Sequence, residues 1–269
     1  MLLAVLALVA SSASSDSATA SCPATPLPEA DTYVRELVAV QKQQEEALSR
    51  YTYEVTESRQ ELDASGKVTR ERTRAYEVFH VKGRPVRRLV ARDGQPLPPA
   101  ERERYERRAR DTAAAIGAGE QPSPGLQLSR ILERYQFKAV GREAVEGRCA
   151  LVFDFAPRPG DFPLQRDFLL RKLGGRIWVD EAEQALVRLD VHNTGGVRIA
   201  LGLAASVSAA ALHGEFVRLE PRVFVPRLLQ GRAEGRKLLF LGFRLRETME
   251  FRNYRRLEPD KDEPPLPAS

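Results

Sequence analysis

The chain has 269 residues, 42% of them hydrophobic and 29% charged, with a formal net charge of +5. This composition excludes disorder for the bulk of the chain, and the length suits one large β domain that buries a core without disulfide staples. The positive excess is spread along the sequence as Arg–Glu mixtures, which excludes a basic tail.

Leu2 to Ala10 is an unbroken apolar run, followed by a Ser/Ala-rich stretch that ends in Ala18-Thr19-Ala20. A short apolar segment with an A-x-A site predicts a secretory signal peptide over residues 1–20, and the run is too short for the ~20 helical residues that span a bilayer. No Lys or Arg precedes it, as expected where translation begins a few codons upstream. Removal of the segment takes away Asp16 alone and raises the net charge from +5 to +6. Export argues against a nucleic-acid partner, while a basic surface favours anionic membrane headgroups.

Residues 21–30 read as a Pro-rich linker, with Cys22 ahead of Pro23, Pro26 and Pro28. Three fates stay open for Cys22: lipidation after export, a disulfide with the only other cysteine, Cys149, or a free thiol. Cys149 shares a strand face with Leu151, Phe153 and Phe155, which favours a small buried apolar residue there.

Asp31 to Arg50 places Val34, Leu37, Val38, Ala47 and Leu48 on one stripe of an amphipathic helix, with Asp31 or Thr32 as its cap. Tyr51 to Leu62 predicts a first strand, Asp63-Ala64-Ser65-Gly66 a turn, and Val68 to Val81 the return. A third strand over Pro85 to Arg92 extends the meander. Ala100 to Ile116 then has Tyr105, Ala109, Ala113 and Ile116 at helical spacing, and its Arg/Glu run reads as a solvated face. Gly117 to Gly125 is a loop and Leu126 to Arg134 a short helix with Leu128, Ile131 and Leu132 on one side.

Tyr135 to Glu143 and Arg148 to Ala156 predict a hairpin, and Phe168 to Leu173 a small helical turn before Gly174-Gly175, read as turn glycines. Arg176 to Asp180 and Ala185 to Asn193 form the next hairpin, with Ile177, Val179, Val187, Leu189 and Val191 inward. Ile199 to Leu212 is an Ala-rich stretch too short for a membrane span. Strands over Gly214 to Leu219, Val223 to Leu229 and Lys237 to Phe251 complete the sheet, with a junction near Ala233-Glu234-Gly235. In the last strand every second residue from Leu239 to Phe251 is apolar except Glu247. That period of two predicts odd positions facing the interior and even ones facing water. Residues 258–269 read as a disordered tail.

No nucleophile elbow, phosphate-binding loop, zinc motif or C-x-x-C pair occurs. His192 and Asp190 share a strand face as an imaginable base and carboxylate, but no nucleophile is placed beside them. Three isolated histidines make poor metal spacing. The expectation is a noncatalytic chain with no metal and no cofactor.

A signal peptide, an amphipathic helix, Tyr51-Thr52-Tyr53, a meander, a helical insertion, then Gly175-Arg176-Ile177-Trp178-Val179-Asp180 and a strand ending at Leu189-Asp190-Val191 resemble the periplasmic lipoprotein-carrier superfamily. That superfamily includes LolA, LolB and the sensor RseB. The resemblance covers about Asp31 to Arg256. It implies a mainly β fold: a single antiparallel, strongly curved, unclosed half-barrel of about eleven strands with a helical lid, here over residues 31–257. It also implies a monomeric periplasmic carrier that holds lipid or lipoprotein acyl chains in an apolar cavity. The alternative is an envelope sensor module that binds a protein partner through the same fold. On the sheet's apolar face, Phe153, Phe155, Leu201, Leu203, Phe216, Leu239, Leu241 and Phe243 are the expected lining.

Overall fold

A computed structural model describes residues 22–120, 128–160, 170–199, 205–237 and 241–257. The expected signal peptide and C-terminal tail lie outside the described residues. Helix α1 (Ala30–Leu48) precedes strands β1 (Tyr51–Leu62), β2 (Val68–Val81), β3 (Arg84–Arg92) and the short β4 (Gln95–Pro96). Helices α2 (Pro99–Gly117) and α3 (Leu128–Leu132) follow, then β5 (Tyr135–Val145), β6 (Arg148–Pro157), β7 (Leu173–Asp180) and β8 (Ala185–Asn193). The chain continues through β9 (Val197–Ile199), β10 (Ala205–Glu220), β11 (Val223–Lys237) and β12 (Leu241–Arg256).

All strands join one antiparallel sheet in the order β4-β3-β2-β1-β12-β11-β10-β8-β7-β6-β5, with β9 beside β10 off this path. The sheet is unclosed and curled: a mainly β half-barrel with helices. Its main core lies where α1 sets Tyr33, Val34, Leu37 and Val38 against Phe153, Ile177, Val179 and Leu189 of the concave face. Tyr33 stacks on Phe153 with ring centroids 5.3 Å apart. The helix starts at Ala30 and is capped by Glu29 in place of the expected Asp31 or Thr32; the Glu29 carboxylate accepts from the backbone N–H of Asp31 at 3.0 Å and Thr32 at 2.7 Å.

Helix α2 takes a different position from the expected lid. It buries Ala109, Ala113 and Ile116 against Phe79 and Val86, which alternate along their strands with residues of the α1 side, such as Val78. Successive strand residues face opposite ways, so α1 and α2 lie on opposite faces.

Four local expectations change. Gly174 and Gly175 belong to strand β7, not to a turn. A Cβ on Gly175 would stand 1.9 Å from the Asp190 carbonyl oxygen, so the residue is a point of close backbone approach. Ala233-Glu234-Gly235 is likewise inside β11, where a Cβ on Gly235 would stand 2.0 Å from the Ser206 carbonyl oxygen. From Ala205 the Ala-rich stretch belongs to β10, which runs on to Glu220, so His213 sits inside that strand rather than ahead of one that starts at Gly214. Finally, Cys149 is joined to Cys22 by a disulfide with Cα atoms 5.4 Å apart; it is only half-buried, because it lies next to the β5–β6 turn and away from the helix-covered core.

Candidate ligand pocket

The concave face is not filled along its whole length. Beside the α1 core lies a pocket of about 300 Å³ under α3. Leu128, Ile131 and Leu132 of α3 form one wall, on the side that their helical spacing predicts. Tyr135, Phe137 and Phe155 of β5 and β6 form a second. Leu170 and Leu173 line one end, Leu186, Leu189 and Val191 form the floor, and Ala210, Ala211 and Leu212 continue it onto β10. Tyr135 alone among these lining residues carries a side-chain polar atom, and its hydroxyl donates to the Leu170 carbonyl at 2.9 Å. Burial pushes that phenol's pKa up to about 12, so it stays neutral.

A β-bulge shapes the floor. Trp178 pairs with Arg188 while Val179 pairs with Leu186, which makes Val187 the extra residue. Val187 was expected inward; the bulge turns it to the outer face beside Val152 and Trp178, and brings Leu186 onto the row of Leu189 and Val191. The helix above is fixed at both ends. Glu45 of α1 accepts from the Ser129 backbone N–H at 3.0 Å and from its hydroxyl at 2.7 Å, and Lys42 pairs with Glu133 at 2.7 Å.

Of the expected lining residues, Phe155 is in this wall. Phe153 is fully buried under Tyr33 in the neighbouring core, and Phe216 packs half-buried against the same core. Leu241 is 52% exposed near the far end of β12. Phe243 is half-buried over Gly235, its ring 2.9 Å from where a Cβ of that glycine would lie. Leu201, Leu203 and Leu239 lie outside the described residues. Six of the fourteen lining residues come from α3 and β8; the helical stripe had placed Leu128, Ile131 and Leu132 on one side and the alternation had placed Leu189 and Val191 inward, without linking them, while Leu186 was missed.

The outer face holds the titratable groups. Asp190 bonds not to His192, which is exposed, but across to β10: its carboxylate lies 2.6 Å from Nδ1 of His213, and Glu215 lies 3.2 Å from Nε2. No nucleophile accompanies them. Among the described residues no group of three or more His, Cys, Asp or Glu is arranged to hold a metal ion.

The curled sheet and the helices on its two faces together define a half-barrel with an apolar pocket. No family model matches the chain, and no curated protein matches it. Among solved structures it is similar to a DUF1329 family protein from Desulfovibrio piger, at 13% identity and a TM-score of 0.44 over 89% of this chain and 98% of that one. It is also similar to a LolA superfamily protein from Nitrosomonas europaea, at 10% identity and a TM-score of 0.37 over 90% and 99%. A third is the MucA/MucB complex of Pseudomonas aeruginosa, at 13% identity and a TM-score of 0.28 over 83% and 99%.

Proposed function

We propose that this protein is an exported, noncatalytic binding protein that holds an acyl chain of a lipid or lipoprotein on the concave face of its half-barrel. The observation that carries the reading is the 300 Å³ pocket under α3, whose walls are apolar apart from one internally bonded phenol. Such a lining offers a hydrocarbon about 0.8 kcal/mol for each buried methylene and offers a polar substrate no partner. The apolar run of residues 2–10 with its A-x-A site supports export to the periplasm, with residues 1–20 as the signal peptide and residues 31–257 as the binding domain.

The test is organic extraction of the protein purified from its native compartment, followed by mass spectrometry, together with titration by an acyl-chain dye. Co-purifying acyl lipid and saturable dye binding are expected. Absence of both overturns the proposal.

A further inference from the structure

The pocket's rim narrows the class of ligand, and this step rests on the acyl-chain reading above. Leu170–Lys172 forms a single turn of 3-10 helix that runs directly into β7. Residues three apart eclipse in such a turn, so Leu170 and Leu173 both reach the pocket while the two residues between them do not. Those two are Arg171 and Lys172, both exposed and without an ion pair to any described residue.

The turn is held from both sides. Tyr135 donates its hydroxyl to the Leu170 carbonyl at 2.9 Å, and the Thr194 backbone N–H donates to the Lys172 carbonyl at 2.7 Å. An apolar interior thus opens beside a fixed cationic lip.

Volume sets the second limit. At ~30 Å³ per water in the liquid, and with a methylene of similar size, 300 Å³ holds one chain segment of about ten carbons. Several acyl chains side by side exceed it. We infer that the pocket takes a single-chain anionic amphiphile, a fatty-acid carboxylate or a monoacyl phosphate, with its tail on Leu189 and Val191 and its head on Arg171 and Lys172.

The experiment compares three probes of equal chain length, decanoate, decan-1-ol and decyltrimethylammonium, by isothermal titration against the whole protein at low and moderate salt. Decanoate is expected to bind tightest and the quaternary ammonium weakest, with the gap shrinking as salt rises. Arg171→Glu combined with Lys172→Glu, both on exposed positions, is expected to weaken decanoate about tenfold, as for reversal of two exposed charges, and to leave decan-1-ol unchanged. Ala210→Phe, which fills the floor, is expected to weaken all three alike. Equal binding of the three probes by the native protein overturns the anionic-head inference and leaves the acyl-chain reading standing. Loss of no binding in Ala210→Phe places the probes elsewhere and overturns it too. Binding of none of the three overturns both.

Discussion

His213 is the residue whose protonation the fold has most clearly arranged. Partial burial disfavours its charged form, but hydrogen bonds to the carboxylates of Asp190 and Glu215 outweigh that cost and raise its pKa. Arg227 in turn bonds Glu215 at 2.7 Å and, with His213, draws its carboxyl below the usual range against the opposing effect of burial. Carboxylates at both ring nitrogens can each accept a hydrogen bond only from the imidazolium. A histidine whose folded pKa lies above its unfolded value of about 6.5 stabilises the fold fully below that value and loses the contribution as pH rises through the folded pKa. The native protein is therefore expected to lose denaturant resistance as pH rises from about 6.5 through the raised folded pKa of His213, and His213→Ala to flatten that part of the profile. Urea midpoints of both proteins across the range measure the difference; parallel profiles would contradict the assignment.

The opposite sign appears at Glu247, the polar interruption in the apolar row of β12. Burial first, and then the neighbouring Glu57, raise its pKa, because two carboxyls on one half-buried strip resist a second charge. It lies on the same row as Met249 and Phe251, which pack with Tyr53 and Val55, so the alternation read from the sequence extends through this position despite its charge.

At the scale of elements, α1 organises the concave face, and one side chain joins it to the far hairpin. Gln44 is buried; its amide nitrogen donates to the Arg222 carbonyl at 2.9 Å and its oxygen accepts from the Phe224 N–H at 2.8 Å. Gln44→Leu keeps the volume and leaves both backbone groups without their partner, at a cost of about 1–3 kcal/mol for each buried polar group left unpaired. A loss of at least ~1 kcal/mol in equilibrium unfolding is expected, with faster amide exchange at Phe224. A variant as stable as the native chain would remove Gln44 from this role.

Local pattern made some elements legible and left others hidden. The β1–β2 hairpin, Tyr51–Leu62 and Val68–Val81, lies where alternation and the Asp63–Gly66 turn placed it. The stripe of Leu128, Ile131 and Leu132 pointed to the pocket roof. By contrast β10 carries small residues along much of its length, so no apolar/polar contrast marked its course, and the glycines of β7 and β11 imitated turns although crowding across the sheet is what requires them. The Asp190–His213 pair joins strands 23 residues apart in sequence, and nothing in the local order of residues encodes such a register. The bulge at Val187 hides for the same reason: one extra residue reverses the parity on which inward and outward assignments rest.

For the molecule as a whole, the disulfide decides how the N-terminal segment meets the barrel. Cys22 is bonded to Cys149 beside the β5–β6 turn, and Arg142, held by Glu181 at 2.8 Å, donates to the carbonyls of Thr25 at 2.6 Å and Pro26 at 3.3 Å. The segment is thus tied to the sheet before Glu29 caps α1. A sulfur engaged in this bond is unavailable for acylation, so the same contact that fixes the strap opposes a lipid anchor at Cys22. The bond closes a stretch with a sequence separation of 127, and loop closure of that length is expected to stabilise the fold by about 4–5 kcal/mol. Paired Cys22→Ser and Cys149→Ser substitution should lower the unfolding free energy by about that amount. It should also speed amide exchange in residues 22–29, while α1 keeps its protection through Leu37, which is fully buried. Thiol labelling with and without reductant, followed by peptide mass analysis, tests the chemistry directly: labelling of both cysteines only after reduction is expected. A Cys22 peptide carrying acyl mass would show that the cysteine serves as an anchor and that the strap is held by Arg142 alone.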